Sequence, residues 1–406
     1  MIATSRAEAQ AQDGADPLAG AREAFVLPEG LIYLDGHSLG PATRAALERV
    51  GQALERDWAQ GLIRSWNDAG WMDLPVQIGA RLAQLIGANA EEVIVCDSVS
   101  VNLFKLAAAA LPLARDRLLL VEEDEFPTDQ YVMQGLADLV GARFGRVAGG
   151  AGRKALADRG GVLIRSVVNY RTAQAVDITA YETTARDSGG VIVWDLSHAT
   201  GVLDLDLGAC GARLAAGCTY KFLNGGPGAP AFIYARGDIA EQMRSPLAGW
   251  MGHAAPFAFE ADYTPKAAAA RFAAGTPGIL SLAALSGALN AFEGIDRSAL
   301  AVKARALGDL CLALAARLGL PSISPKLGSE RGGHISLVHP EGYAVVQALI
   351  ARGIIADFRA PDAMRFGFSP LFVRYVDVWD AMTALGDVLK TRAWDQPAFL
   401  RRAAVT

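Results

Sequence analysis

Several patterns that would assign a function directly are missing from this chain of 406 residues. Its four cysteines show no CxxC spacing and its five histidines show no HExxH spacing, so neither a zinc ribbon nor a metal-binding helix is predicted. We therefore expect no metal site. Cys96 and Cys218 stand in apolar runs and are interpreted as buried thiols. The other cysteines are Cys210 and Cys311, and the histidines are His37, His198, His253, His334 and His339.

The chain also lacks an excess of positive charge and a long apolar run. A net charge of −5 provides no basic surface for nucleic acid or for an anionic membrane. No uninterrupted apolar run reaches the roughly 20 residues that span a bilayer. Residues 1–28 carry charges among alanines and lack the apolar core of a signal peptide, so a cytoplasmic protein with a frayed start is expected.

Apolar runs typical of strands alternate with alanine- and leucine-rich runs typical of helices. This alternation predicts an α/β fold with a mainly parallel sheet covered on both faces, and a ligand site beyond the carboxyl ends of the strands. The predicted strands are 93–96, 117–121, 161–167, 190–194, 334–338, 354–358 and 364–368. The predicted helices are 101–111, 128–141, 177–187, 296–318, 341–351 and 375–391.

The same pattern suggests how the chain divides. We expect an N-terminal arm (1–30), a large domain (31–290) and a smaller C-terminal α/β domain (291–406). Hydrophobic residues at 52% and charged residues at 20% are enough to predict a sizeable folded core.

One lysine, Lys221, lies between an apolar run and a turn of small residues in the segment GCTYKFLNGGPG (217–228). An apolar strand upstream ends in Asp195, 26 positions before the lysine. A lysine amine can hold an aldehyde as a Schiff base, and a carboxylate can keep a pyridine nitrogen protonated. Opposite charges about 4 Å apart attract by ~4 kcal/mol at an effective dielectric near 20. Lys221 alone could be a solvent-facing lysine, and Asp195 alone could be a helix cap. Together they favour a pyridoxal phosphate enzyme.

Two further segments could serve the same cofactor. The segment SVSVN (98–102) follows a strand and opens a helix, so its N–H groups and hydroxyls could bind a phosphate, or Ser98 could be an ordinary helix cap. In FPTD (126–129), Phe126 could stack on a planar ring. Thr128 and Asp129 could anchor phosphate or a ring hydroxyl, or could cap the next helix.

Three other residues could either contact a ligand or have a structural role. Trp66 and Trp250 stand in polar loops, where an aromatic ring can contact a ligand or partner or can pack on the core. Arg365 stands within an apolar strand and needs a partner, which could be a substrate carboxylate or a structural salt bridge.

Taken together, these segments resemble the kynureninase family of fold-type-I pyridoxal phosphate enzymes, which is related to the aminotransferases. The first of the matching motifs ordinarily reads DGNSLG in this family, and here His37 replaces the asparagine. The motifs are DGHSLGP (35–41), SVNLFK (100–105), FPTD (126–129), WDLSHATG (194–201), CTYKFLNGGPGAPAFIY (218–234), GWMGH (249–253) and RFGFSPLF (365–372).

The resemblance implies a role for each matching residue. Lys221 would form the Schiff base, Asp195 would pair with the pyridine nitrogen, and Tyr220 would be a general acid or base. Trp250 and Thr276 would reach the cofactor phosphate from a second subunit, which implies a homodimer with shared active sites. Substrate-lining positions would be Ser38, Trp66 and Arg365, with Arg365 on the amino-acid carboxylate. Further cofactor contacts would be Val99, Ser100, Phe126, Thr128, Asp129, Ser166 and His198.

The reaction implied by the resemblance is hydrolysis of L-kynurenine to anthranilate and L-alanine, a carbon–carbon bond cleavage in tryptophan catabolism (the kynurenine pathway) that also serves NAD biosynthesis. The 3-hydroxylated substrate is a second option. Another fold-type-I activity, an aminotransferase or a desulfurase, is the alternative, although a desulfurase needs a nucleophilic cysteine on an exposed loop. A pyridoxal phosphate-binding regulator would need an added DNA-binding domain, which the sequence does not suggest.

Overall fold

The computed structural model describes residues 2–402 and has an α/β architecture. The strands are β1 (Ile32–Tyr33), β2 (Val93–Val95), β3 (Leu118–Glu122), β4 (Arg143–Val147), β5 (Val162–Ser166), β6 (Val191–Asp195), β7 (Leu214–Gly217), β8 (Phe232–Ala235), β9 (His334–Val338), β10 (Ile354–Ile355), β11 (Asp357–Arg359) and β12 (Ala363–Gly367). The helices are α1 (Arg6–Gly14), α2 (Arg44–Gln52), α3 (Ser65–Asp68), α4 (Leu74–Ile86), α5 (Val99–Ala110), α6 (Pro127–Val140), α7 (Gly152–Arg159), α8 (Ile178–Ser188), α9 (Gly237–Ala240), α10 (Ile279–Ala288), α11 (Arg297–Arg317), α12 (Gly342–Ile350), α13 (Tyr375–Lys390) and α14 (Pro397–Leu400).

A seven-stranded sheet with the order β2-β8-β7-β6-β5-β3-β4 forms the centre of the fold. Strands β3 to β7 run parallel to their neighbours in this set, and β8 is antiparallel to both β2 and β7. The predicted mainly parallel sheet is therefore confirmed, with β8 as the reversed strand.

Both faces of this sheet are buried, which explains why its strands are continuous apolar runs. Successive side chains of a strand point to opposite faces, so alternate residues enter different hydrophobic clusters. In β5, Val162 and Ile164 pack in one cluster, and Leu163 packs in the other. None of the three exposes any of its surface to solvent.

Three strands of this sheet were not predicted. Strand β4 (RFGRV) carries charges and is partly exposed, and β7 (LAAG) has no β-branched or aromatic residue, so neighbouring strands decide these two segments. Strand β8 (FIYA) carries the aromatic and β-branched residues typical of a strand, and the prediction missed it despite this local signal.

The C-terminal part contains a three-stranded antiparallel sheet with the order β11-β12-β9. The predicted strand 354–358 is two strands, because β10 pairs in parallel with β1 and β11 pairs with β12. The N-terminal segment is thus tied to the C-terminal part. It is also tied there by α1, where Arg6 forms an ion pair with Asp380 of α13 at 2.7 Å. Within residues 2–402, no helix combines the length and apolar character needed to cross a membrane.

Gly40 fixes the N-terminal segment against the loop that carries Lys221. Its N–H donates to the Tyr220 carbonyl at 2.8 Å. A Cβ atom at this position would lie 2.3 Å from the Lys221 carbonyl oxygen and 2.3 Å from the Asn224 side-chain oxygen. This approach is possible only for glycine, since real Cβ contacts are never so short.

Gly40→Ala is therefore expected to lower the free energy of unfolding by about 1–3 kcal/mol through overpacking. Gly135→Ala is the matched control, because Gly135 lies inside α6 with no heavy atom within 4 Å of an added Cβ. That variant should be about 0.5–1 kcal/mol more stable than the parent, because alanine is the better helix former. Urea unfolding of both variants checks the pair, and equal stability of Gly40→Ala and the parent would refute the packing argument.

Candidate active site

The carboxyl ends of the parallel strands surround a cavity of 260 Å³. Ser166 and Asp195 are the last residues of β5 and β6 and are directly paired, and Lys221 lies in the loop after β7. This is the edge at which a ligand site was expected. The lining residues are His37, Ser38, Val99, Ser100, Phe126, Thr128, Asp129, Ser166, Tyr170, Asp195, Ser197, His198, Tyr220, Lys221, Arg359 and Arg365.

The amine of Lys221 lies beside an uncharged imidazole. Its Nζ is 3.0 Å from Nε2 of His198. Burial, together with the charge of Lys221, lowers the pKa of His198 well below its ordinary value. His198 is therefore neutral near pH 7, and its Nε2 can accept a proton from the lysine or return one, according to the tautomer.

Two buried carboxyl groups face the same lysine. Asp195 is 8% exposed, and its Oδ1 accepts a hydrogen bond from the Ser197 N–H at 2.7 Å. Burial raises its pKa, although Ser197 and Lys221 act in the opposite direction. The pKa of Asp129 is raised well above its ordinary value by burial and by the charges of Asp195 and Glu125. A cationic group bound between them would favour the ionised form of the carboxylates.

The first turn of α5 forms another wall of the cavity. Ser98 caps this helix, because its Oγ accepts from the Val101 N–H at 3.4 Å, so the simple capping interpretation holds for Ser98. Val99 and Ser100 line the cavity beside it. The first N–H groups of a helix have no partner within it, so this wall can bind an anion such as a phosphate.

The segment after β3 contributes an aromatic ring and polar groups. Phe126 is 43% exposed and meets Tyr170 edge to face, with ring centroids 5.2 Å apart. Thr128 and Asp129 line the cavity from the first turn of α6. Asp129 does not cap that helix, since Phe126 occupies the N-cap position.

Arg365 lines the cavity and is also part of a buried ion pair. Its Nε donates to Asp357 Oδ1 at 2.7 Å, and its Nη2 contacts Asp357 Oδ2. The Nη2 group also reaches Ser38 Oγ at 3.2 Å. Burial by itself would raise the pKa of Asp357. His37 and Arg365 lower this pKa by more than burial raises it, so the net shift is downward. The structural salt bridge, one of the two interpretations of Arg365, is therefore present in this structure.

Three of the residues matched to the family's site lie elsewhere in this single chain. Thr276 is exposed and lines a neighbouring cavity of 460 Å³, which shares Val99, Ser100 and Tyr220 with the first one. Trp66 and Trp250 line neither of these two cavities. Trp66 instead packs edge to face on Trp71, with ring centroids 5.8 Å apart.

A cluster of three histidines, two of which line the cavity, was not predicted from the sequence. The rings of His37 and His334 are stacked with centroids 5.1 Å apart, and His198 lies 5.5 Å from His334. All three are buried, and burial lowers the pKa of each. These residues are far apart in the sequence, so no local spacing could have revealed the cluster.

The same region holds the group that most resembles a metal site among residues 2–402. Ligand atoms of Asp35, His37 and Asp357 lie within 4.8 Å of one another. However, Asp357 is already paired with two guanidinium groups, those of Arg359 and Arg365. The carboxylate that a cation would need is therefore engaged.

The chemistry of the cavity fits pyridoxal phosphate. Lys221 offers an amine for the aldehyde, Asp195 offers a buried carboxylate for the ring nitrogen, and the first turn of α5 offers N–H groups for the phosphate. Within residues 2–402, Nδ1 of His198 and Oδ2 of Asp129 are buried without a hydrogen-bond partner. Buried polar atoms in this state are typical of a site built for a polar ligand.

Solved structures with the same fold support this assignment of class. A cysteine desulfurase from Thermococcus onnurineus NA1 matches with a TM-score of 0.78 at 17% identity, covering 92% of this chain and 98% of that one. An alanine–glyoxylate aminotransferase from Nostoc sp. matches with a TM-score of 0.70 at 16% identity, covering 90% and 96%. The fold is that of the fold-type-I pyridoxal phosphate enzymes.

Sequence relatives define the family within that class. Kynureninases of Burkholderia mallei (strain SAVP1) and Pseudomonas fluorescens are 44% and 42% identical to this chain, each over 99% of it and 100% of the relative. The family model for the kynureninase C-terminal domain matches residues 300–385. The chain belongs to the kynureninase family, which confirms the resemblance seen in its motifs.

The cysteines provide a test against the desulfurase alternative. Burial raises the pKa of Cys96 to about 11 and that of Cys311 to about 12, and it also raises the pKa of Cys218. Because the thiolate is the reactive form, these three should resist iodoacetamide at about pH 7.5. Cys96 is partly exposed, like Cys210, so the expectation of a fully buried thiol holds for Cys218 but not for Cys96. Cys210, which lines neither cavity, should be alkylated first, without loss of activity. Peptide mapping checks the order, and early labelling of Cys96 with loss of activity would revive that alternative.

Proposed function

We propose that this protein hydrolyses L-kynurenine to anthranilate and L-alanine with pyridoxal phosphate as its cofactor. The main support for the proposal is the position of Lys221. Its amine lies in a cavity at the carboxyl ends of parallel strands, beside Asp195 and the neutral His198. Relatives at 42–45% identity over nearly the whole chain bear the name kynureninase, which favours this activity over an aminotransferase or a desulfurase.

The lining residues would hold the cofactor as follows. Lys221 would carry its aldehyde carbon, Asp195 would face its ring nitrogen, and Val99 and Ser100 would bind its phosphate. When bound, pyridoxal phosphate draws electrons from the amino-acid carbons attached to it, which makes bond cleavage at those carbons possible. Additional contacts to its ring and phosphate would come from Phe126, Thr128, Asp129, Ser166, His198 and Tyr220.

The chain's own groups would then move protons at defined atoms. Lys221 would remove the proton from the substrate Cα, and the neutral imidazole of His198 could share that proton through the 3.0 Å contact with Nζ. Burial raises the pKa of Tyr220, so its hydroxyl keeps its proton at neutral pH. Tyr220 would donate that proton near the γ-carbonyl, where water adds, or to the carbon released as alanine.

We further propose a homodimer in which Trp250 and Thr276 complete the active site of the partner subunit. The exposure of Thr276 on the wall of the adjacent cavity supports this arrangement, since a residue from another chain could meet the shared residues Val99 and Ser100 there. The match of Trp250 and Thr276 to kynureninase-family positions implies the same arrangement, and its test is the oligomeric state in solution.

We also propose how the chain divides into domains, where the protein is located and which pathway it serves. The chain would divide into the arm 1–30, the large domain 31–290 and the small domain 291–406. A cytoplasmic location is supported by the four free cysteines, because unpaired thiols are typical of reducing compartments. The reaction would place the enzyme in tryptophan catabolism, and its products would also serve NAD biosynthesis.

Lys221→Ala is expected to abolish turnover of L-kynurenine, with a loss of at least about 10²–10⁴-fold, because the proton at Cα then has no acceptor at this position. Borohydride reduction of the parent protein with its cofactor should label the peptide that contains residue 221. Lys154→Ala is the control, since Lys154 is an 80% exposed side chain paired with Asp158. A label on a different peptide would overturn the assignment of Lys221.

A second prediction concerns the aromatic ring of the substrate. The indole of Trp66 offers an apolar face and one donor, so a site that includes it should favour L-kynurenine over its 3-hydroxy form. The preference should not exceed about 10²-fold, because an apolar site rejects an added hydroxyl only modestly. Trp66→His should shift the preference toward the hydroxylated substrate. Equal kcat/KM values for the two substrates in the parent would show that Trp66 does not set this selectivity.

A further inference from the structure

Glu125 is a buried carboxyl group that does not line the Lys221 cavity but binds a residue that does. It precedes Phe126 in the sequence and is 1% exposed. Its Oε1 accepts from the Ser166 N–H at 3.0 Å and from Nη1 of Arg165, and its Oε2 accepts from the Ser166 hydroxyl. Both oxygens of Glu125 are therefore used by the last two residues of β5, and Ser166 lines the cavity.

The contact with Arg165 favours the ionised form of Glu125. Burial raises the pKa of Glu125, while Arg165 and Ser166 act in the opposite direction. Burial lowers the pKa of Arg165, but the charges of Glu125 and Glu122 raise it by more, so its net shift is upward. A guanidinium in direct contact with a carboxyl group stabilises the carboxylate. A protonated Glu125 would leave the buried charge of Arg165 to Glu122, which is 3.4 Å away.

Glu122 has hydrogen-bond donors of its own. Its Oε2 accepts from the Gly150 N–H at 2.7 Å, and its Oε1 accepts from the Gly152 N–H at 2.8 Å. This glycine-rich loop thus binds a carboxylate of the protein itself. Because the backbone already stabilises Glu122, the guanidinium of Arg165 is the main partner of Glu125.

The ionised Glu125 determines what the hydroxyl of Ser166 can offer to a ligand. A serine hydroxyl has one O–H donor and two acceptor lone pairs. Because the O–H of Ser166 points to Glu125, its oxygen can present only a lone pair to the cavity. Ser166 is also in register with Asp195 on β6, so two acceptors stand together at the ends of these strands.

We propose that Glu125 is a positioning residue, which orients the Ser166 hydroxyl so that its oxygen accepts a hydrogen bond from the cofactor. The inference rests on the proposed function, because it concerns the pyridoxal phosphate that Lys221 would hold. An acceptor favours a ligand group that carries a proton, such as the ring nitrogen in its cationic form. Ser166 would thus act in the same sense as the carboxylate of Asp195, and Glu125 would act through Ser166.

The charge of Glu125 provides a second route by which this residue could influence the cavity. The pKa of Asp129 is raised first by burial, then by the charge of Asp195 and then by that of Glu125. Removing the charge of Glu125 would therefore ease the ionisation of Asp129, whether or not Ser166 carries a hydroxyl. The two routes differ in whether they need the Ser166 oxygen, so a double-mutant cycle separates them.

The experiment uses the full chain, with pyridoxal phosphate itself as the probe. The Kd of the cofactor and the pH profile of its absorbance when bound are measured for Glu125→Gln, Ser166→Ala and the variant with both changes. Glutamine keeps the shape of Glu125, but its amide N–H replaces the acceptor that faces Ser166, as a protonated carboxyl group would. Glu182→Gln is the matched control. Glu182 is 4% exposed, accepts from the Trp194 indole at 2.8 Å and pairs with Arg213 at 3.6 Å outside the cavity.

We expect Ser166→Ala to raise the Kd of pyridoxal phosphate by about tenfold, as is typical when a hydrogen bond to a charged group is lost. Its absorbance profile should move to lower pH, because an acceptor that stabilises the cationic form is gone. Glu125→Gln should act in the same direction and at least as strongly, since the Ser166 hydroxyl then turns to the cavity as a donor. Adding Glu125→Gln to Ser166→Ala should change the Kd by less than about twofold. Glu182→Gln should match the parent.

Three results would overturn the inference. An unchanged Kd and profile in Glu125→Gln would mean that Glu125 is protonated in the parent and already donates to Ser166. A profile of Ser166→Ala that stays in place or moves to higher pH would mean that the Ser166 oxygen is not an acceptor for the cofactor. An equal effect of Glu125→Gln with and without the Ser166 hydroxyl would mean that Glu125 acts through its charge.

The fold of each variant and the proposed function are checked separately. Thermal unfolding shows whether each variant is folded. If Glu125→Gln does not fold, the direction of the shift in Ser166→Ala decides. The proposed function fails, independently of Glu125, if the parent binds pyridoxal phosphate but does not convert L-kynurenine to anthranilate and alanine.

Discussion

The register of three parallel strands controls the chemistry of this molecule. Ser166 pairs with Asp195, and Asp195 pairs with Ala216, so β5, β6 and β7 end side by side. The loop that follows β7 brings Lys221 back over the end of β6, and Gly40 packs against that loop without a side chain of its own. A slip of one residue in β6 would turn Asp195 to the opposite face of the sheet and separate it from the lysine.

Given that register, the cavity is lined by groups of both charges. Lys221 lies among the buried carboxyl groups Asp195 and Asp129, which suit a cationic ring nitrogen. The lining also includes Arg359 and Arg365, which suit an anion. An amino acid with a free carboxylate would meet both kinds of group in this cavity. The polarity of the site would thus orient the substrate before any proton moves.

Local sequence was sufficient for those parts of the fold and site that have a local signal. Strands β2, β3, β5 and β6 are rich in valine, isoleucine and leucine, and Asp195 and Lys221 stand at recognisable ends of apolar runs. The prediction missed β4 and β7, which depend on neighbouring strands, and it also missed β8, although FIYA is a local signal for a strand. It also missed the histidine cluster and Arg359, because these meet only after β9, β11 and β12 pair. Trp66, Trp250 and Thr276 match family motifs, yet a single chain leaves them outside the Lys221 cavity.

The clustered histidines at the cavity have a consequence for the folded state in acid. His37, His198 and His334 are buried with lowered pKa values, so each stays uncharged in the folded protein at a pH where the free imidazole is protonated. An unfolded chain binds protons at these residues below about pH 6.5, whereas the folded chain does not. The contribution of these histidines to the free energy of unfolding is therefore fully present above that pH and declines as the pH falls below it.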